Sequence, residues 1–215
     1  MRLLVTAGPT REPLDAVRFV SNAATGRLGI EIARAAAAEW HDVVLVLGPT
    51  HLAPPHDPRV SVHRVTTALE MLAACESEWP SCDALVATAA VSDHRPESPA
   101  AGKPEKPAGA FDLRLVPNPD VLATLARTKG RRVCVGFALQ AEAGPDAERR
   151  ARDKLVAKDL AAIVLDSPSA LGAERASFRL IPREGPPRDF PDVTKAEFAR
   201  TLVAFVDETS RRSRS

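Results

Sequence analysis

The chain has 215 residues, 45% hydrophobic and 27% charged, enough to bury a substantial core as a single compact domain. Its 29 Lys and Arg against 28 Asp and Glu leave a formal charge of +1, which excludes a global attraction to nucleic acid or a membrane surface, so any anion must be held by a local site. No run approaches the roughly 18 apolar residues of a membrane span, and the short apolar start breaks at Gly8-Pro9, which predicts a cytoplasmic protein.

Residues 2–7 (RLLVTA) read as a buried strand and 28–40 as a helix. The intervening 8–26 is far longer than the roughly 2–6 residues usual for such a turn, and long loops in compact domains are usually functional. Strands are predicted at 43–47 and 60–65, a helix at 68–79 and a strand at 84–89. Residues 92–109, rich in Pro, Ala, Gly and Lys, lead into 111–116, which alternates like an exposed strand and reads as part of a mobile flap at about 92–116. A helix at 119–129, a strand at 132–138, a helix at 145–160 and a strand at 161–165 continue the pattern. A Pro-rich segment, 167–191, surrounds a second alternating strand at 177–181 and precedes an amphipathic helix at 195–210, which suggests an edge hairpin and a helix packed back on the domain over about 167–212. Residues 211–215 read as a solvated tail.

Strands apolar nearly throughout and alternating with helices imply an α/β, Rossmann-like three-layer sandwich with a mainly parallel central sheet, a flap and an edge hairpin, in one domain over 1–215. Cys75, Cys82 and Cys134 lack metal-ligand spacing and fall inside elements, so they read as buried thiols.

In an open parallel sheet ligands bind beyond the carboxyl ends of the strands, which directs attention to three segments. The first ends in SNAATGRLG: Thr25, Gly26 and Arg27 lead into a helix whose N-terminal amides, with Arg27, make an anion site. On a purely structural reading, Asn22 or Thr25 caps that helix and Gly26–Gly29 allows close packing on the sheet. The second segment, AAVSDHRP, is followed by Lys103 and Lys106: Ala89 and Ala90 admit a planar base, Asp93 suits a ribose or Mg²⁺, and the lysines suit phosphates. Equally, Asp93 can serve a turn, the lysines can be solvated, and His94 is a lone histidine of a kind that is seldom a base. The third is Gly136–Gln140 at the end of its strand. Lys154 and Lys158, four apart on one helix, share a face that can meet a polyphosphate or simply be an ion-paired surface. A nicotinamide cofactor is disfavoured, because Gly26 and Gly29 come too late for the dinucleotide fingerprint and the second strand ends in Gly48-Pro49 with no acidic residue for a ribose.

The ordered blocks VTAGPTREPLDAVRFVSNAATGRLG, AAVSDHRP, LVPNPDVL, VGFALQAE and DKLVAKDL resemble phosphopantothenoylcysteine synthetase over residues 1 to about 165, with a weaker resemblance beyond. The resemblance implies a ligase of coenzyme A biosynthesis that joins 4′-phosphopantothenate to L-cysteine, with CTP activating the carboxylate as an acyl-cytidylate and CMP and pyrophosphate released. It further implies Mg²⁺, held mainly through nucleotide phosphates with Asp93 a candidate ligand, and a homodimer in which the flap reaches a partner's site. Asn22 matches the residue that handles the acyl intermediate, together with Thr25, Gly26 and Arg27, and Lys103 matches a flap lysine that serves the triphosphate. Gly8, Ala89, Asp93, Pro117, Asn118, Pro119, Phe137, Lys154 and Lys158 match nucleotide-binding positions.

The family's SSGK is replaced here by Ala24-Thr25-Gly26-Arg27, its Lys-rich flap by Lys103-Pro104-Glu105-Lys106, its VGFA-A-E by VGFA followed by Leu139 and Gln140, and its Asn-Asp by Asp166-Ser167. In many bacteria such a domain is fused behind a flavin-dependent decarboxylase. No flavin module is expected in this chain, and a functional association with a separate decarboxylase is. The competing expectations are a catalytically degenerate nucleotide-binding paralogue and, less favoured, an NAD(P)-dependent reductase.

Overall fold

The computed structural model describes residues 1–105, 109–139 and 144–214. In chain order the elements are β1 (Arg2–Ala7), β2 (Arg11–Pro13), β3 (Phe19–Ser21), α1 (Arg27–Ala38), β4 (Asp42–Leu47), β5 (Val60–Arg64), α2 (Ala68–Glu78), β6 (Ala84–Ala87), β7 (His94–Pro96), β8 (Leu115–Pro117), α3 (Val121–Ala126), β9 (Val133–Leu139), α4 (Pro145–Ala157), β10 (Ala162–Asp166), β11 (Arg175–Pro182), β12 (Arg188–Thr194) and α5 (Lys195–Arg214).

The central sheet has eight strands in the order β12-β11-β10-β9-β6-β1-β4-β5. Every pair from β10 to β5 is parallel, and the β11–β12 hairpin adds an antiparallel edge, as the alternating pattern around 177–181 predicts. The two-residue period of a strand divides β1 between two cores: Leu3, Val5 and Ala7 enter one and Leu4 the other. The first core lies under α1 and α5, the second under α2, α3 and α4. Each fully buried leucine in them contributes roughly 1.5–3 kcal/mol relative to exposure. Phe198 of α5 stacks on Phe178 of β11 at 4.1 Å and meets Phe190 of β12 edge-on at 5.4 Å, which fixes where α5 begins. Cys75, Cys82 and Cys134 are buried thiols, as expected, and burial pushes Cys75 and Cys134 up to about 12.

The chain runs β1, β4, β5 toward one edge and then returns to place β6 beside β1 before running β9, β10 toward the other. Strand order therefore reverses between β1 and β6, and the crevice at their carboxyl ends is where an open α/β sheet binds ligands.

Several boundaries differ from the pattern-based expectation. The segment 8–26, read as a loop, contains the β2–β3 hairpin. Its strands are three residues long and include Pro13, too short for periodicity to show, and tertiary bonds hold them: Arg11 N–H donates to Thr66 O at 2.8 Å, and buried Glu12 accepts from Ala68 N–H at 2.9 Å. The helix expected over 119–129 is only Val121–Ala126, because Asp120 caps it through Ala123 N–H at 2.9 Å. The strand expected over 84–89 ends at Ala87, and of the exposed strand expected over 111–116 only Leu115 and Val116 fall in β8, which pairs with His94–Pro96. The last helix runs beyond the expected 210: α5 continues to Arg214, carried by the i,i+4 ion pairs Asp207–Arg211 and Glu208–Arg212, with Arg211 and Arg212 solvated as expected.

Candidate functional site

A cleft of about 560 Å³ opens at the carboxyl ends of β1, β6, β9 and β10, at the point where strand order reverses. Its base is made by close backbone approach. Gly8 (φ 81°) and Gly26 (φ 77°) both occupy the left-handed region, and a Cβ on Gly26 would stand 3.0 Å from Gly8 N. At Gly29 a Cβ would fall 2.4 Å from Ala7 Cβ and 2.5 Å from Thr88 Oγ1, so only glycine lets α1 sit this close to β1 and β6.

The N-terminus of α1 faces this cleft with its donors open. Gly26 is the N-cap and supplies no side chain, the first turn has no acidic residue, and the nearest oxygen, Thr25 Oγ1, is 3.5 Å from Arg27 N. Of the two caps a purely structural reading offers, Thr25 makes only this long contact, and Asn22 turns its amide to Ala90 O and Val91 O instead. Unpaired N–H groups and the helix dipole make an anion-binding end. Arg27 stands there with its Nε buried and, among the described residues, without a hydrogen-bond partner.

The opposite wall is a closed polar network. Asn22 Nδ2 donates to Ala90 O at 3.0 Å and Val91 O at 3.2 Å, so its donors strap the segment after β6 to that after β3 and leave Oδ1 as the group that can meet a ligand. Buried Ser92 receives at its backbone N–H the acceptor Thr10 Oγ1 at 3.0 Å. Asn118 donates through Nδ2 to Ser92 O at 2.9 Å and accepts from Arg95 at 3.1 Å, while its backbone N–H donates to Asp93 O at 2.8 Å. Asp93 and His94 are exposed, and His94 lies in β7 paired with Pro117 rather than among the cleft-lining residues.

On the α4 side, Lys154 and Lys158 both line the cleft, with Phe137, Ala89 and Pro119. Lys158 Nζ contacts Asp120 at 2.5 Å. Burial works to raise Asp120, but the Lys158 bond and charge and the Ala123 N–H outweigh it and hold the carboxyl below its ordinary range. Lys154 has the ordinary exposure of a surface lysine. Of the sequence-predicted residues, the cleft thus gathers Gly8, Asn22, Thr25, Gly26, Arg27, Ala89, Asp93, Asn118, Pro119, Phe137, Lys154 and Lys158. Pro117 and Lys103 lie outside it: Lys103 is exposed on a segment tied to the β2–β3 loop by Ala100 N–H to Leu14 O at 2.9 Å and Ala16 N–H to Gly102 O at 3.3 Å. Lys106 and Gln140 fall outside the described residues.

Among the lining residues that the sequence reading did not single out for the site are Lys195 and, except as a family departure, Asp166. Lys195 is the first residue of α5 and only 6% exposed, with Nζ donating to Ala170 O at 2.8 Å. Burial pushes Asp166 up to about 6, against the opposing pull of Lys195. Burial and the neighbouring Arg27 charge lower Lys195, and Asp166 partly offsets them. Among the described residues no three His, Cys, Asp or Glu side chains form a metal-binding group. The carboxylates that line the cleft are Asp93, Asp120 and Asp166, of which Asp120 contacts Lys158.

Residues 1–209 match the family described as the DNA/pantothenate metabolism flavoprotein C-terminal domain. The chain belongs to that family. A coenzyme A biosynthesis bifunctional protein CoaBC of Vibrio cholerae is 42% identical over 176 residues, 80% of this chain and 42% of that protein. A cysteine/cysteine sulfinic acid decarboxylase from an unknown prokaryotic organism is 37% identical over 207 residues, 94% of this chain and 56% of that protein. The chain thus spans about half the length of the curated relatives it matches. A crystal structure of the C-terminal domain of a CoaBC protein superimposes with a TM-score of 0.82 at 30% identity, covering 98% of this chain and 96% of that one. Family and fold agree with the resemblance read from the motifs, and no helix among the described residues is long and apolar enough to cross a membrane.

Proposed function

We propose that this domain joins 4′-phosphopantothenate to L-cysteine, using CTP to form an acyl-cytidylate and releasing CMP and pyrophosphate. The observation that carries the reading is the convergence of the open α1 N-terminus, Arg27, Lys154 and Lys158 on one cleft at the reversal of strand order. A carboxylate is inert to an amine until one of its oxygens becomes a good leaving group, and an α-phosphate transferred to it supplies that. Negative charge then grows on the departing pyrophosphate and, in the second step, on the tetrahedral acyl carbon's oxygen. Fixed N–H groups and cations aimed at these positions stabilise both. Mg²⁺ supplies further neutralisation of the phosphates.

Within this reading Gly8, Ala89, Asp93, Asn118, Pro119, Phe137, Lys154 and Lys158 form the nucleotide side, and Thr25, Gly26 and Arg27 hold phosphate. Asn22 meets the acyl intermediate through Oδ1, since its two N–H donors already hold Ala90 and Val91. Pro117 acts through the backbone that Arg95 grips at 2.7 Å. Lys103 serves the site of a second subunit. A homodimer is supported by apolar side chains exposed on the β2–β3 hairpin and around the start of β8: Val17, Phe19, Phe111, Leu113 and Leu115, with Phe111 60% exposed.

The test is a pyrophosphate-release assay with Mg²⁺, phosphopantothenate, cysteine and each of four nucleoside triphosphates. Release with CTP, dependent on phosphopantothenate, is expected. Silence with every triphosphate despite nucleotide binding would replace the ligase with a degenerate nucleotide-binding domain, and carbon dioxide release would move the reading toward the activity named in the decarboxylase relative.

A further inference from the structure

We propose that Lys195 is a phosphate-binding residue of the cleft, forming with Arg27 and the N-terminus of α1 an inner subsite for a phosphoryl anion. This deepens the ligase reading and rests on it for the identity of the ligand, though not for the existence of the subsite.

Three observations place the ammonium at a position suited to an anion. First, Lys195 sits where local physics disfavours a cation. It is the first residue of α5, whose start is closed by Thr194 and Glu197: Thr194 Oγ1 accepts from Glu197 N–H at 3.1 Å and Glu197 Oε2 accepts from Thr194 N–H at 2.8 Å. A positive charge at that end opposes the helix dipole. Glu197 offsets the dipole there but spends its carboxylate on the cap. A residue that breaks a local rule without a local gain marks a site with another demand on it.

Second, the ammonium is under-satisfied. Lysine carries three donors, and the only hydrogen bond of Lys195 Nζ among the described residues is the one to Ala170 O. Burying a charge against one neutral acceptor is costly, and Asp166, the neighbouring carboxylate, forms no ion pair with it among the described residues.

Third, a second cation faces the same space. Arg27 and Lys195 line the cleft together and repel each other, Arg27 Nε is buried without a partner among the described residues, and the start of α1, whose N-cap Gly26 supplies no side-chain bond, lines the same cleft. Two like charges converging on unpaired donors, with one partly buried carboxylate as counter-charge, are stabilised by an anion between them.

A merely structural lysine, tying the turn at Ala170 to α5, would use its one bond and nothing more. It would leave the juxtaposed arginine and the open helix end unexplained.

The phosphoryl group has two sources in the proposed reaction, the triphosphate of the nucleotide and the phosphate of phosphopantothenate. Titration calorimetry on the full chain, with pyrophosphate, Mg·CTP, CMP and 4′-phosphopantothenate as separate probes, distinguishes them. Lys195→Met keeps the apolar stem and removes the charge, Lys195→Arg keeps the charge, and thermal melts of both check the fold. The expected result is that Lys195→Met weakens pyrophosphate and Mg·CTP about tenfold or more, leaves CMP unchanged, and is rescued at least in part by Lys195→Arg. A loss confined to 4′-phosphopantothenate also upholds the subsite and assigns it to that phosphate. The proposal is overturned if wild-type protein binds neither pyrophosphate nor 4′-phosphopantothenate. It is equally overturned if Lys195→Met leaves both unchanged, or if it weakens CMP as much as CTP. Should pyrophosphate binding depend on Lys195 while no triphosphate is turned over, the subsite stands and the ligase reading falls.

Discussion

The two sides of the cleft are built on opposite principles. On the side formed by Asn22, Ser92 and Asn118, nearly every polar group is matched to another within the chain: amide to carbonyl, hydroxyl to backbone N–H, guanidinium to amide oxygen. On the side formed by α1, Arg27, Asp166 and Lys195, charges and donors are gathered and left short of partners. A closed network holds shape and gives nothing to a ligand, whereas an open one is held at a cost in stability and recovers it on binding. The difference separates scaffold from contact surface without reference to any relative.

The largest test of that division is Asp166→Asn. The folded carboxyl titrates at about 6 against an ordinary 3.8, so between those values the folded state binds more protons than the unfolded one. Stability conferred by this group is therefore present at low pH and lost as pH rises through 6. Removing the charge is expected to stabilise the protein by at most about 3 kcal/mol near pH 8, with no gain below about pH 4. Urea midpoints of both proteins from pH 4 to 8 measure it, and the difference between them cancels other titrating groups, including His41, whose burial lowers its own pKa. The groups facing Asp166 are Lys195 and Arg27 within the cleft, and Glu148, Arg152, Arg179 and Asp189 around the adjoining hollow that Asp166 also lines. Equal midpoints at pH 8 would show the carboxylate adequately compensated and the open side less open than drawn.

A smaller effect is expected on the closed side from Asn22→Asp. The substitution replaces two N–H donors by an acceptor facing Ala90 O and Val91 O, at a cost of roughly 0.5–1.5 kcal/mol because the site is exposed. The variant is expected still to bind CTP but to accumulate the acyl-nucleotide, read by quenching a single turnover. Unchanged stability together with undiminished product formation would remove Asn22 from both roles.

Much of this was legible in the sequence because the sheet is buried on both faces. Runs such as VVLVL and AIVL are forced apolar throughout, and β1, β4, β5, β6, β9 and β10 were each placed to within about two residues at either end. The hairpin at Arg11–Ser21 was not legible, because its stability comes from Thr66 and Ala68 rather than from any pattern of its own. In the site, the open start of α1 could be read from Gly26-Arg27. Lys195 could not, since it is distant in sequence and reaches the cleft through the packing of α5 on α1, β9, β11 and β12, with Phe198 seated on Phe178 and Phe190. The one available signal was a lysine in the first turn of a helix, against the dipole.

The smallest and most discriminating change is Ser92→Ala. Ser92 is buried inside the closed network, held by its backbone N–H to Thr10 and its carbonyl to Asn118, yet its hydroxyl has no partner among the described residues. An unsatisfied buried hydroxyl contributes nothing favourable, and replacing it by a methyl hydrogen leaves both backbone bonds intact. Ser92→Ala is therefore expected to match the wild type or exceed it by about 1 kcal/mol in urea unfolding, with CTP affinity unchanged. Unchanged stability with a loss of CTP affinity would show that the hydroxyl waits for the ligand, as Arg27 and Lys195 do. The closed side would then carry one open position, and the boundary between scaffold and contact surface would run through Ser92 rather than around it.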